Sequence, residues 1–173
     1  MRAPSIEELA AREAIRAVLA DYARGINRRE WDLVRGCYHP DAIDHHGVVV
    51  GTVDELLAHF QGTLAFAGTA HYELQSRIQV DGDVADVETW SVAFHWHEPS
   101  GGGRDLLMSV RYLDRFTCRS GDWRIAARRT VLDWAREVDT PHAPWPLAHR
   151  FLQGRPDRSD PSFQISDGKA ATS

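Results

Sequence analysis

Apolar residues recur at helical spacing through the first third of the chain and at every second position through its middle, so the sequence reads as helices first and sheet after. Ile6, Leu9, Ala10, Ile15, Val18, Leu19 and Tyr22 follow three- and four-residue steps, with Ser5 and Glu8 spaced as a capping box ahead of them and Gly25 marking the end. A short second helix is predicted from about Glu30 to Tyr38, where His39-Pro40-Asp41 stops it; Trp31, Val34 and Tyr38 share one face. Asp44-His45-His46-Gly47 is turn-like and Val48 to Val50 is β-branched, which predicts a small hairpin or bent strand over Ala42 to Val50. Thr52 then caps a third helix, about Val53 to Phe66, with Leu56, Leu57, Phe60 and Leu64 as its stripe.

From about Ala70 the period becomes two. Turn clusters at Asp81-Gly82-Asp83, Ser100 to Gly103 and Ser120-Gly121-Asp122 divide this stretch into four strands, about Ala70–Val80, Val84–His97, Leu106–Arg119 and Trp123–Trp134. In the first, Tyr72, Leu74, Ser76, Ile78 and Val80 form one face and His71, Glu73, Gln75, Arg77 and Gln79 the other; in the second, Trp90, Val92, Phe94 and Trp96 share a face. An antiparallel meander that follows three helices is an α+β pattern. Such a sheet has to curve over its helices, leaving a cone-shaped barrel open at one end, an apolar pocket suited to a small molecule. The outer face would carry Tyr112, Phe116 and Trp123, an apolar patch that predicts a homo-oligomer, dimer or trimer. After Trp134 the prolines at 141, 144, 146, 156 and 161 end the periodicity. Residues 1–135 therefore read as one domain and residues 136–173 as a Pro-rich arm and tail, extended to about 154 and mobile beyond, not as a second domain.

Composition narrows the function classes. The formal net charge of −5 lacks the concentrated basic face that nucleic acid or an anionic membrane requires. Cys37 and Cys118 have no metal or redox spacing, no run approaches a membrane span, and the N-terminus has no apolar leader core, which together predict a cytoplasmic protein. No Gly-x-Ser-x-Gly elbow, phosphate loop or Cys-x-x-Cys pair appears, and no metal or other cofactor is expected. His45 and His46 are adjacent and so point to opposite sides of an extended chain, a poor chelating pair.

Several stretches together carry a resemblance: Asp21 to Asp32 at the end of the first helix, Tyr38-His-Pro-Asp-Ala42, Gly68-Thr-Ala-His-Tyr72, Tyr112-Leu-Asp-Arg-Phe116, and Gly121-Asp-Trp-Arg-Ile125. With the order of elements they resemble the SnoaL-like branch of the nuclear transport factor 2-like superfamily over about residues 6 to 135. Within it the chain is similar to the group of scytalone dehydratase, bile-acid dehydratase and hexachlorocyclohexane dehydrochlorinase. That resemblance implies a histidine base at the start of the first long strand, matched by His71, and an aspartate after the first helix that orients it. Asn27 stands where that aspartate is expected, and supplies a hydrogen bond but no charge. Tyr22 matches an implied acid near a leaving hydroxyl, or is a core tyrosine. Arg128 matches a basic residue implied to assist the leaving group, or is a solvated strand residue beside Arg129.

The expected function is a cofactor-independent lyase or isomerase on a small hydrophobic, cyclic substrate. His71, Tyr22 and Asn27 are its catalytic candidates; Asp44, His46, Trp31, Trp90 and Arg128 are its substrate-binding candidates, with Asp44 at the mouth of the cone as a substitute carboxylate. The alternative is a non-catalytic binding or assembly protein using the same pocket.

Overall fold

The computed structural model of the chain describes residues 3–63, 66–98, 103–140, 143 and 145–167. Helix α1 (Ile6–Arg28) opens on Ser5, whose hydroxyl accepts from the Glu8 amide while the Glu8 carboxylate accepts from the Ser5 amide, the capping box read from the sequence. It runs past Gly25 and ends at Arg29, which caps it in the left-handed region. Gly25 is therefore not a terminator. A Cβ there would lie 2.6 Å from Val34 Cγ2, so the glycine lets α2 (Trp31–Gly36) pack against α1. The extra turn of α1 carries Asn27 to the sheet.

Tyr38 begins strand β1 (Tyr38–His45) instead of ending α2, because its ring belongs to the core with Tyr22 and Phe116. A tight turn with Gly47 in the left-handed region leads to β2 (Val50–Gly51), and α3 follows (Val53–Thr63). The predicted stripe residue Leu64 lies outside the described residues. The long strands are β3 (Gly68–Asp81), β4 (Val84–Trp96), β5 (Arg104–Arg119) and β6 (Asp122–Asp139). They form one six-stranded sheet in the order β2-β1-β6-β5-β4-β3. The sheet is mixed, because β1 joins β6 in parallel, where an all-antiparallel sheet was expected. It remains open, and the α+β class holds.

Two parities set what faces the core. On β4 the odd positions from Ala85 to Ala93 are buried, so Trp90, Val92, Phe94 and Trp96 lie on the outer face. On β3 the pairing passes from Glu73 opposite Ser91 to Ser76 opposite Thr89, leaving Leu74 and Gln75 against the single Trp90. That β-bulge changes the parity of the strand. After it Ser76 and Ile78 face inward, as the alternation predicts. Before it the inward residues are Thr69, His71 and Glu73, while Tyr72 and Leu74 are 60% and 64% exposed outside.

The expected outer patch is not there: Tyr112 and Phe116 belong to the core cluster, and Trp123, partly buried, packs against that cluster. The outer face carries instead the cross-strand row Tyr72, Val92, Ser109 and Trp134. The arm does not trail away at Gly154. Asp160 is buried, pairs with Arg28 at 3.2 Å and accepts from the Arg155 and Ser162 amides, and Arg24 lies over the Phe163 ring at 4.8 Å. No helix among the described residues is long and apolar enough to cross a membrane.

Candidate functional site

The last turn of α1 delivers Asn27 to the start of β3. Asn27 Oδ1 accepts from the His71 backbone N–H at 2.8 Å, which fixes the amide's orientation, and Asn27 Nδ2 reaches the His71 carbonyl at 3.4 Å. The same Oδ1 lies 2.9 Å from His71 Nδ1. An oxygen already accepting can only be met there by a donor, so Nδ1 carries the proton and Nε2 carries the lone pair. Asn27 thus does sterically what an aspartate would do, without its charge. Burial, and then the like charges of His95, His46 and Arg128, push the His71 imidazole down to about 3, so the ring is neutral at ordinary pH. His95 stacks edge-on against it at 5.5 Å and is itself held by Thr69 Oγ1 at 2.9 Å.

Deeper in the cone lies a charged group that the sequence only half revealed. Arg128 is 0% exposed and makes a two-pronged pair with Asp114, Nε to Oδ1 and Nη2 to Oδ2, both at 2.7 Å. Its guanidinium lies 4.2 Å from the ring centres of both Tyr22 and Tyr112. Strand register explains the convergence: Arg128 on β6 stands between Asp44 on β1 and Asp114 on β5. The solvated alternative for Arg128 is excluded. Its third nitrogen, Nη1, is buried without a hydrogen-bond partner.

Asp44 is corrected in place: it is 1% exposed inside the sheet, not at the mouth. Tyr38 donates to its Oδ2 at 2.7 Å, and His46 Nδ1 stands 3.3 Å from its Oδ1 outside hydrogen-bond geometry. Burial alone would raise the Asp44 carboxyl, but His46, Arg128 and Tyr38 together hold it below the usual range. His46 packs on Phe60 at 5.2 Å and tilts over Tyr112 at 6.2 Å. Tyr22 is buried edge-on to Tyr38 and Tyr112, and burial raises its phenol well above the ordinary value.

A cleft of about 710 Å³ lies at the start of β3, between the end of β4 and the arm; the outer-face residues Tyr72 and Trp96 are part of its lining, and the buried Tyr22, Asp44, His46 and Arg128 are not. Asn27 and His71 line it from the body, Trp96 and His97 from β4 and the residue after it, and Trp145 and Arg155 from the arm. Trp31 lies in a separate groove with Arg35 and Pro156, and its ring packs on the core. Trp90 is on the outer face. Neither walls the cleft: Trp31 lines the groove beside Arg29 and Arg35 instead, and the parity of β4 turns Trp90 outward. No cluster of three metal-ligating side chains occurs among the described residues.

Three residues of the interior escaped the sequence reading. Asp114 lies between Tyr112 and Phe116 at alternate positions, so an acid shares a face with two core aromatics, a detectable signal. Glu73 shares His71's parity. Ser91 lay on the polar-looking side of β4, and only the sheet's curvature made that side the inner one.

No curated protein matches the chain. Among solved structures, a hexachlorocyclohexane dehydrochlorinase, LinA type 2, superposes with a TM-score of 0.71 at 18% identity, over 82% of this chain and 97% of that one. A protein assigned as a scytalone dehydratase from Novosphingobium aromaticivorans gives 0.66 at 18% identity, over 79% and 96%. A protein of unknown function with a cystatin-like fold from Nostoc punctiforme gives 0.61 at 17% identity, over 76% and 96%. These likenesses are of fold. The SnoaL-like domain matches residues 7–129, from the first turn of α1 to the Arg128–Arg129 pair of β6. The chain belongs to the SnoaL-like domain family, a branch of the nuclear transport factor 2-like superfamily.

Proposed function

We propose that the chain is a cofactor-independent lyase or isomerase that removes a proton from carbon in a small, hydrophobic, cyclic substrate. The observation that carries this reading is the Asn27–His71 unit, which leaves a neutral imidazole with its Nε2 lone pair free beside a cleft. Nε2 takes the proton from carbon. Tyr22, whose raised phenol keeps its own proton, lies buried against the Arg128 guanidinium and off the cleft's lining, so its role is that of a hydrogen-bond donor to a substrate oxygen that reaches inward past His71. Asn27 holds the ring's tautomer, and Arg128 with Asp44 and His46 sets the polarity of the cone's interior. A positioned base contributes about 10²- to 10⁴-fold.

Proton abstraction can be read without knowing the natural substrate, as exchange of the α-protons of cyclohexanone in heavy water followed by NMR. Wild-type protein should accelerate the exchange, His71→Ala should lose the acceleration, and Asn27→Asp should keep or raise it. Equal exchange by wild type and His71→Ala would refute the mechanism.

One observation favours a second reading, a non-catalytic binder: burial and neighbouring charges leave His71 a weak base with no carboxylate in contact. Under it, cyclic ketones bind equally well to wild type and His71→Ala, and no exchange occurs in either. We also infer a cytoplasmic homo-oligomer, dimer or trimer, formed through the outer row of Tyr72, Val92 and Trp134. Light scattering should report a multiple of the 19.5 kDa chain, reduced by Tyr72→Glu.

A further inference from the structure

The cleft that His71 lines has one wall lying beyond the residues that the domain match covers. That match ends at residue 129, whereas Trp145, Gln153 and Arg155 reach the lining from the arm. A single carboxylate fixes this wall to the body. Asp160 is 3% exposed, and its Oδ2 accepts from Arg28 Nε at 3.2 Å and from the Arg155 amide at 2.8 Å. Arg28 follows Asn27 in the chain, and Asn27 Oδ1 holds the His71 ring at 2.9 Å. An unbroken run of contacts therefore joins the imidazole to the backbone of Arg155.

Arg28 and Arg155 are the arginines of the lining, and they differ in what they already hold. Arg28 is taken up by Asp160 and by the Asn27 carbonyl, which its Nη1 reaches at 3.3 Å. Arg155 is exposed, and its guanidinium has no hydrogen-bond or ion-pair partner among the described residues although its backbone is pinned. Asp157 feels its charge, but the Asp157 Oδ1 already accepts from the amide and hydroxyl of Ser159. Of the acids in the lining, Asp105 is buried with its Oδ1 accepting from the Thr140 hydroxyl and the His97 amide, and Glu98 is exposed after β4. A guanidinium is a planar fork that matches a carboxylate through two parallel bonds. With Trp96 and Trp145 in the same lining, the cleft combines a base, apolar surface and a cation that no protein group occupies. That set suits a ring with an anionic end better than a wholly apolar ring.

We propose that Arg155 is a specificity-determining residue of the cleft and that the substrate class is a cyclic ketone bearing a carboxylate across the ring from its carbonyl. The inference rests on the proton abstraction proposed above for which carbon faces His71 Nε2, and it adds where the far end of the ring goes. The ring lies against the indoles and its carboxylate pairs with the Arg155 guanidinium. Because that guanidinium is exposed, the pairing is worth about fivefold in affinity, the upper end for a solvated ion pair.

The test uses 4-oxocyclohexanecarboxylate and its methyl ester, which share a ring and differ in charge. In calorimetric titrations wild type should bind the acid about fivefold more tightly than the ester. Arg155→Gln should abolish that preference, Arg155→Glu should reverse it and Arg155→Lys should keep part of it, with little change in affinity for the ester. Glu98→Gln should enlarge the preference, because it removes the acid that opposes an anion. The bound acid should also shift the His71 ring protons in NMR, which places it in this cleft. Equal affinity for acid and ester in wild type, a preference that survives Arg155→Glu, binding of neither compound, or binding of the acid that leaves His71 unshifted overturns the proposal. The two readings fail separately. Exchange of the ester's α-protons in heavy water with no preference for the acid removes the carboxylate and keeps the base, whereas Arg155-dependent binding of the acid with no exchange of its α-protons removes the base and keeps the carboxylate.

Discussion

Asn27 and an aspartate would hold His71 in the same place and the same tautomer, and would differ by one charge. That charge governs the imidazole's basicity. Asn27→Asp should therefore raise His71 from about 3 toward its ordinary 6.5, followed by NMR of the ring protons. An unmoved titration would mean that the contact does not govern the ring. The Arg128–Asp114 pair is a different case, because both partners are buried and each offsets the other's desolvation. Arg128→Met leaves an unpaired buried carboxylate and should cost about 3–5 kcal/mol in urea unfolding, part of it recovered by adding Asp114→Asn. A loss below about 1 kcal/mol would show that the pair adds nothing a hydrophobic side chain could not supply. Of these residues, His71, Asn27 and Arg128 could be picked out from the sequence. Asp114 carried a signal of its own between Tyr112 and Phe116, but its pairing with Arg128 did not, since the two lie 14 residues apart on neighbouring strands and are matched by register.

At the scale of elements, one inserted residue decides which side chains enter the cone. Deleting Gln75 would restore strict alternation along β3. The half of the strand beyond the bulge is pinned by buried Ile78, so the first half should turn over, carrying His71 and Glu73 outward and Tyr72 and Leu74 inward. His71 should then titrate near its ordinary value, and persistence near 3 would refute the role given to the bulge. The junction of α1 and α2 is constrained by close approach instead. Gly25→Ala should cost about 1–3 kcal/mol by overpacking, relieved by Val34→Ala. In the sequence Gly25 looked like a helix end because glycine is common there. Only the packed neighbour revealed that the missing side chain was required for space.

Across the whole molecule, two buried titrating groups oppose each other. His71 is depressed, so the unfolded chain binds more protons between about 6.5 and 3, and its contribution to stability is lost as pH falls through that window. Glu73 is raised, so the folded chain binds more protons between 4.5 and about 7, and its contribution is lost as pH rises through that window. From about 4.5 to 6.5 the two slopes cancel. Glu73→Gln removes one of them, so wild type should gain stability over the variant as pH falls from about 7 to 4.5, by roughly 1.4 kcal/mol per unit at most. A gap that is constant with pH would mean that Glu73 titrates alike in the folded and unfolded chain. The arm belongs to this scale too, because it forms one wall of the cleft. Asp160→Asn should weaken its latch on Arg28 and quicken protease cleavage within residues 145–160, while the body stays resistant.

Read alone, the sequence specifies the order and type of the main elements, the capping box, the hairpin turns at Asp81-Gly82-Asp83 and Ser120-Gly121-Asp122, the open cone that follows from helices preceding a meander, and the histidine at the start of β3; the predicted turn at Ser100 to Gly103 falls largely outside the described residues. These rest on local signals: periods of 3.6 and 2, caps and turn residues act within a few positions of themselves. The tertiary structure decided which face of β3 and β4 is the inside, that Arg128 and Asp44 are buried, that Asp114 and Glu73 join them, and that Trp31 and Trp90 stand elsewhere. Alternation says which residues share a face but not which face is covered. A buried charge, moreover, is tolerated only through partners that register and curvature bring from distant strands.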